Sequence, residues 1–162
     1  MGLSSNLLGH EFTHLLLTFL AIFVTFFLFL RKKKKKSSKY IFLIVLGAFL
    51  GEFFLDSDHV FDYLFQFGLQ FRPDWFFGGL MFHLSHKAYV IFHAWEWVIL
   101  LGIILYFTKK RAWKYFLTAL LLGMVFHLVY DTYFNHALLF GYSIMYRAIH
   151  HFDAQYFGSL KG

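Results

Sequence analysis

The chain has no cysteine and a single proline in 162 residues, and charged side chains make up only 15% of it. The missing cysteine excludes a disulfide-stapled fold, a cysteine-ligated zinc module and thiol catalysis, and leaves the redox compartment open. The shortage of charge, against about 25% in an ordinary soluble domain, excludes a disordered chain and argues against a soluble globular one. What fills the sequence is apolar: 59% hydrophobic residues, including 25 phenylalanines. The length is that of one domain, and the composition is that of an integral membrane protein.

Acidic charge is also scarce, which leaves a net charge of +6. Such a balance can signal a nucleic-acid partner, but its distribution argues for topology instead. Seven of the fifteen basic residues lie between Arg31 and Lys39, and four more are Lys109, Lys110, Arg111 and Lys114. Both groups directly follow long apolar runs, where membrane insertion places lysine and arginine. We therefore expect no nucleic-acid partner; attraction to anionic membrane lipid is a secondary benefit.

A membrane-crossing helix needs about 20 mainly apolar residues to traverse roughly 30 Å of hydrocarbon. Four segments qualify, at about 11–30, 40–59, 88–107 and 113–133. The expected fold is an all-α membrane protein, a four-helix transmembrane bundle forming one domain. The positive-inside rule puts the two basic loops in the cytoplasm and both termini outside, in a plasma-membrane protein. The 60–87 connection is aromatic, carries Arg72-Pro73-Asp74 and Gly78-Gly79 as turn signals, and reads as an interfacial or re-entrant cap rather than a free loop. The tail over 137–160 reads as an interfacial helix or as a poorly packed tail.

Nine acidic residues and ten histidines are present, and none of the nineteen falls in either basic loop. Helical spacing gathers them, because residues at i, i+4 and i+7 share a face. His10 and His14 stand at i, i+4 in the first span; Glu52, Asp56 and His59 at i, i+4, i+7 in the second. His86, His93 and Glu96 share a face of the third, and His127 and Asp131 stand at i, i+4 in the fourth. An ionisable group in hydrocarbon costs roughly 2.5–3.5 kcal/mol on insertion scales, so these groups must neutralise one another or bind something. Imidazole with carboxylate suits zinc, iron or manganese. A purely structural polar network and proton or ion conduction are the competing readings. Asp56 and Asp58 lie about 200° apart on an ideal helix, so both can face one ion only if the helix ends near Asp58.

The run Leu55-Asp56-Ser57-Asp58-His59 resembles the Pro-Asp-x-Asp-His signature of the YdjM-like, membrane-bound metal-dependent hydrolases. Gly9-His10 resembles that family's N-terminal Gly-His. The run from Gly123 through His127 and Asp131 to Thr132 resembles its last-span pattern, and the likeness covers most of residues 8–135. Leu55 replaces the signature proline. The family's central His-Arg-Gly-x-Thr-His-Ser element is absent; His86-Lys87 and the run Phe92-His93-Ala94-Trp95-Glu96 stand in its place.

The expected function is hydrolysis of a lipid-like phosphoester at the extracytoplasmic face, with one or two divalent ions, zinc first and manganese or iron as alternatives. His10, His59, His93 and His127 are the expected imidazole ligands. Asp56, Asp58 and Asp131 ligate or orient ligands, and Glu96 ligates or acts as general base; Glu96 and Asp58 are the catalytic candidates. The alternatives are a di-iron or haem redox bundle and a non-enzymatic membrane protein. No role is assigned to His14, His86, Glu52 or the His150-His151 pair, nor is an oligomeric state.

Overall fold

The structure is a computed structural model that describes residues 3–31, 37–77 and 80–157. Among these residues the regular structure is all helical, without a strand. Its helices are α1 (Leu3–Phe29), α2 (Ser38–Phe53), α3 (Ser57–Phe67), α4 (Pro73–Phe77), α5 (Leu80–Ser85), α6 (Trp95–Phe107), α7 (Arg111–Phe134) and α8 (Ile144–Ile149). Three helical stretches, Gly9–Phe29, Ser38–Phe67 and Arg111–Phe134, are long and apolar enough to cross a membrane. They correspond to the first, second and fourth expected spans. The core of the first basic loop, residues 32–36, lies outside the described residues.

Two expectations are corrected. The third span, expected over 88–107, is helical only from Trp95, so α6 has 13 residues. At 1.5 Å per residue that is about 20 Å, short of a full crossing. Residues 88–94 are held by side chains from elsewhere, as shown below. The described part of the tail, 137–157, is not one helix but a series of short turns: 3₁₀ turns at Leu139–Tyr142 and Ala154–Tyr156 flank the six-residue α8. Gly78-Gly79 lies outside the described residues. The described part of the 60–87 connection is largely helical, carrying the rest of α3 with α4 and α5, and its aromatic rings meet one another. The rings of Phe67, Phe71 and Phe76 stand 5.1–5.8 Å from that of Tyr63. The Tyr63 hydroxyl donates to the Gln70 carbonyl and accepts from the Arg72 N–H, both at 2.8 Å.

The chain divides into two compact units. The first comprises Asp56–Glu96 and Leu128–Gly162 with Met1–Leu8; the second comprises Gly9–Leu55 and Trp97–His127. In the second unit, Ala21, Leu30, Ile44, Ala48, Tyr115 and Ala119 form a buried cluster. Small residues make it possible. Gly47 and Gly51 stand four apart on α2, as do Ala119 and Gly123 on α7. Such small-xxx-small pairs let membrane helices approach until backbones touch. A Cβ on Gly51 would strike the Leu120 carbonyl oxygen, and one on Gly123 would lie 2.8 Å from the Ala48 carbonyl oxygen. Gly51→Ala should therefore push α2 from α7 and cost roughly 1–3 kcal/mol, read as a lower unfolding temperature in detergent. Gly102→Ala on α6, with nothing within 4 Å of the added carbon, is the matched control and should change little.

Large apolar side chains remain exposed on the long helices, among them Phe19, Phe23 and Phe27 on α1. An uncovered apolar surface of this kind fits contact with lipid.

Candidate metal centre

In the first unit the site is built around His93, which lies in the non-helical segment before α6. The helix of α2 ends at Phe53, a turn covers 54–56, and α3 restarts at Ser57. The helix does not end near Asp58, as the Asp56/Asp58 spacing suggested: it breaks just before, and Asp58 lies inside the helix that follows. Asp58 then sits in the first turn of α3, where negative charge complements the helix dipole. Its Oδ2 accepts the backbone N–H of Phe92 at 2.8 Å and of His93 at 3.1 Å, and His93 Nδ1 lies 3.0 Å from both carboxylate oxygens.

That bond fixes the imidazole. With Nδ1 donating to Asp58, the Nε2 lone pair points the other way, the usual arrangement of a carboxylate that orients a metal-binding histidine. His93 Nε2 lies 3.4 Å from Asp56 Oδ1 and 3.5 Å from Asp131 Oδ2. Ligand atoms of Asp56, His93 and Asp131 all lie within 4.8 Å of one another. His59 stands beside them, its Nε2 3.9 Å from Asp56 Oδ1 and its ring centroid 5.0 Å from that of His93. His93 and Asp131 are buried, whereas the side chains of His59 and Asp56 are 31% and 29% exposed, so the set opens on their side. His59 Nδ1 is buried with no hydrogen-bond partner. Two donors bound to one tetrahedral ion at about 2.0–2.1 Å stand roughly 3.3–3.4 Å apart. The spacing around His93 Nε2 matches that edge, so the donors could hold a metal ion.

Charged groups beyond the donor set explain why residues 88–94 hold a fixed shape. Asp62, one turn after Asp58 on α3, accepts the N–H groups of Tyr89 and Val90 at 2.8–3.2 Å. Gln66, one turn further, reaches the Lys87 carbonyl at 3.5 Å. Arg147, on α8 and 2% exposed, donates to the carbonyls of Tyr89, Val90 and His93 at 2.6–2.9 Å. Burial pulls the Arg147 guanidinium below its ordinary pKa, and the charges of Asp58, Glu96 and Asp62 push it back up. Val90, β-branched, is held at φ 32°, a conformation that costs of order 1–3 kcal/mol and persists only where surroundings impose it. The Tyr142 ring lies 6.0 Å from that of His93, and burial, with the charge of Asp131 adding to it, raises the Tyr142 phenol well above its usual pKa.

The second unit holds a set of its own. His14 Nδ1 lies 3.0 Å from Glu52 Oε2, and His127 Nδ1 lies 3.6 Å from the same oxygen. All three side chains are fully buried. His10 Nε2 meets His14 Nε2 at 3.1 Å. Close contact of α2 with α7 makes this possible, since Glu52 follows Gly51 directly and His127 lies one turn after Gly123.

Of the eight residues singled out as ligands, Asp56, Asp58, His59, His93 and Asp131 are brought together in the first unit, and His10 and His127 in the second. Glu96 joins neither set. Its Oε1 accepts from the Ser143 hydroxyl at 2.6 Å and from the Met145 N–H at 3.1 Å, at the start of α8. Of the unassigned histidines, His150 stacks on Tyr156 at 4.1 Å, and the carbonyls of His86 and His151 accept from the Ala154 N–H and Lys87 Nζ. His14, Glu52, Asp62 and Arg147 were not singled out. Glu52 carried a usable signal, a carboxylate inside an apolar helix; helical spacing tied it to Asp56, and the turn at 54–56 breaks that register.

No protein-family model matches the chain, and no curated protein or solved structure matches it.

Proposed function

We propose that the protein is a membrane-embedded, metal-dependent hydrolase that cleaves a lipid-like phosphoester at the extracytoplasmic face of the plasma membrane. One observation carries the reading: His93, fixed through Nδ1 by Asp58, presents Nε2 between the carboxylates of Asp56 and Asp131 in a pocket left open at His59. His93, Asp56 and Asp131 are the residues that would hold the ion. When bound, a divalent ion supplies a Lewis acid that polarises a phosphoryl oxygen and acidifies water at neutral pH. The resemblance of the Asp56-x-Asp58-His59 and His127-x-x-x-Asp131 runs to the YdjM-like hydrolases supports the same reaction class. The apolar helices favour a substrate delivered from the bilayer, and the basic residues favour a cytoplasmic position for the two loops that carry them.

In this reading Asp58 is a positioning residue: it holds the His93 tautomer and ring. His59, partly exposed and next to Asp56, exchanges the proton with water and leaving group. Glu96 acts at a distance, by tying α8 and hence Arg147 to the start of α6.

The test is hydrolysis of phosphomonoester and phosphodiester lipid probes by detergent-purified protein. Chelation should abolish turnover, and zinc or manganese should restore it. His59→Ala should keep its metal and lose turnover. Glu96→Gln should keep both, because the glutamine carbonyl oxygen still accepts from Ser143 and Met145. Turnover on neither probe, or turnover indifferent to chelation, would reject the proposal.

A further inference from the structure

The set in the second unit was built from His14, Glu52 and His127, two of which no motif singled out. Each is fully buried: His14 at 0%, Glu52 at 0% and His127 at 0% exposure. Glu52 uses one carboxylate oxygen, Oε2, toward both imidazoles. Its other oxygen, Oε1, is buried with no hydrogen-bond partner. A carboxylate so placed is costly, because burial removes water from both oxygens and only one is compensated. A purely structural pair would be expected to engage both.

The two imidazoles are arranged as ligands would be. Their ring centroids stand 4.2 Å apart with the planes tilted by 30°, and both turn Nδ1 toward Glu52 Oε2. The Nδ1–Oε2 separations, 3.0 and 3.6 Å, bracket the roughly 3.3–3.4 Å edge of a tetrahedral zinc site. His10 meets the opposite nitrogen of His14, so that ring is held from behind. The backbone contacts of Gly47, Gly51 and Gly123 hold Glu52 and His127 at a fixed separation.

We infer that His14 Nδ1, His127 Nδ1 and the Glu52 carboxylate bind a divalent first-row transition ion such as zinc, with His10 as the residue that positions His14. The ion takes the place of the proton shared by His14 and Glu52 and gives the second carboxylate oxygen a partner. Two histidines and one glutamate are a familiar three-ligand zinc set that leaves one position open. This set shares none of the three residues proposed to hold the hydrolase ion, His93, Asp56 and Asp131, although His127 also belongs to the run whose resemblance supports that reading.

The experiment uses the full chain in detergent, stripped with chelator and reloaded with zinc alone. His93→Ala removes the central ligand of the first unit and leaves this set whole. That variant should retain one equivalent of zinc, and its X-ray absorption spectrum should show two imidazoles per zinc. Adding Glu52→Gln, or separately His14→Gln, should remove that equivalent while helicity by circular dichroism is unchanged. Glutamine can still accept a hydrogen bond at position 52, so a merely structural role would survive the change. Zinc content unaffected by both substitutions would overturn the inference. So would a His93→Ala protein that binds no zinc, or binds it with fewer than two imidazoles. Should the added substitutions prevent folding, the imidazole count in His93→Ala decides alone. Because no turnover is measured, failure of the hydrolase assay and failure of this site are read separately.

Discussion

Asp131→Ala should lose its metal from the first unit and its turnover together. Asp131 is 3% exposed, and its Oδ2 lies 3.5 Å from His93 Nε2, opposite the Asp58 contact. Removing it takes away one of the three donors proposed for the ion and leaves His93 Nε2 facing Asp56 alone. Asp58→Asn makes the informative comparison. Asparagine still offers one oxygen to the Phe92 and His93 amides, but its NH₂ group cannot accept from His93 Nδ1. Loss of an orienting carboxylate lowers metal affinity about 10–100-fold, so this variant should recover activity at raised zinc, whereas Asp131→Ala should not. Metal content at two zinc concentrations, beside phosphoester turnover, distinguishes them. Full metal and full activity in Asp131→Ala would remove the first-unit site as drawn.

Arg147→Met is expected to have the largest effect on stability. The guanidinium is buried and gives three hydrogen bonds to the carbonyls of Tyr89, Val90 and His93. Methionine fills much of the volume but returns none of them. It also leaves Asp58 and Asp62 without the positive charge that faces them. Removing one partner from a buried charged network typically costs about 3–5 kcal/mol. The unfolding midpoint in detergent should fall steeply, and zinc affinity with it, because the segment that carries His93 loses its clamp. Arg147→Lys should recover only part of the loss, since an ammonium cannot span carbonyls in two directions as a planar fork does. A midpoint within a degree of wild type would show that the clamp is dispensable.

The spans at α1 and α7 were legible because length and apolar content alone determine them. The helix end expected near Asp58 was only approximate: the turn at 54–56 takes in Asp56 and comes before Asp58, and the helix continues through Asp58 to Phe67. Residues 88–94 were not legible. The run Ala88-Tyr89-Val90-Ile91-Phe92-His93-Ala94 has neither glycine nor proline, and by local pattern it continues the apolar helix. What unwinds it is distant in sequence: Asp58 and Asp62 accept its N–H groups, and Arg147 donates to its carbonyls. Glu96 was misplaced for the same reason. Its spacing from His93 suggested a shared face, but His93 is not helical and the partner of Glu96 is Ser143, 47 positions away. His14 and Glu52 illustrate a milder failure, in which each helix was read correctly and the pairing across helices was not. The Gly47/Gly51 and Ala119/Gly123 spacing would have suggested which two helices touch.

The amides of Tyr89, Val90, Phe92 and His93 belong to no helix or strand, yet each is tied to a buried carboxylate. Backbone outside regular structure ordinarily trades its hydrogens with solvent quickly, because brief local opening exposes it. Here opening a single amide means separating it from a charge that has no water to replace it. Those four positions should exchange deuterium as slowly as the interior of a long helix, and Arg147→Met should release them together. The most persistent hydrogens in this protein then include ones in a segment that looks, by backbone conformation alone, like a loop.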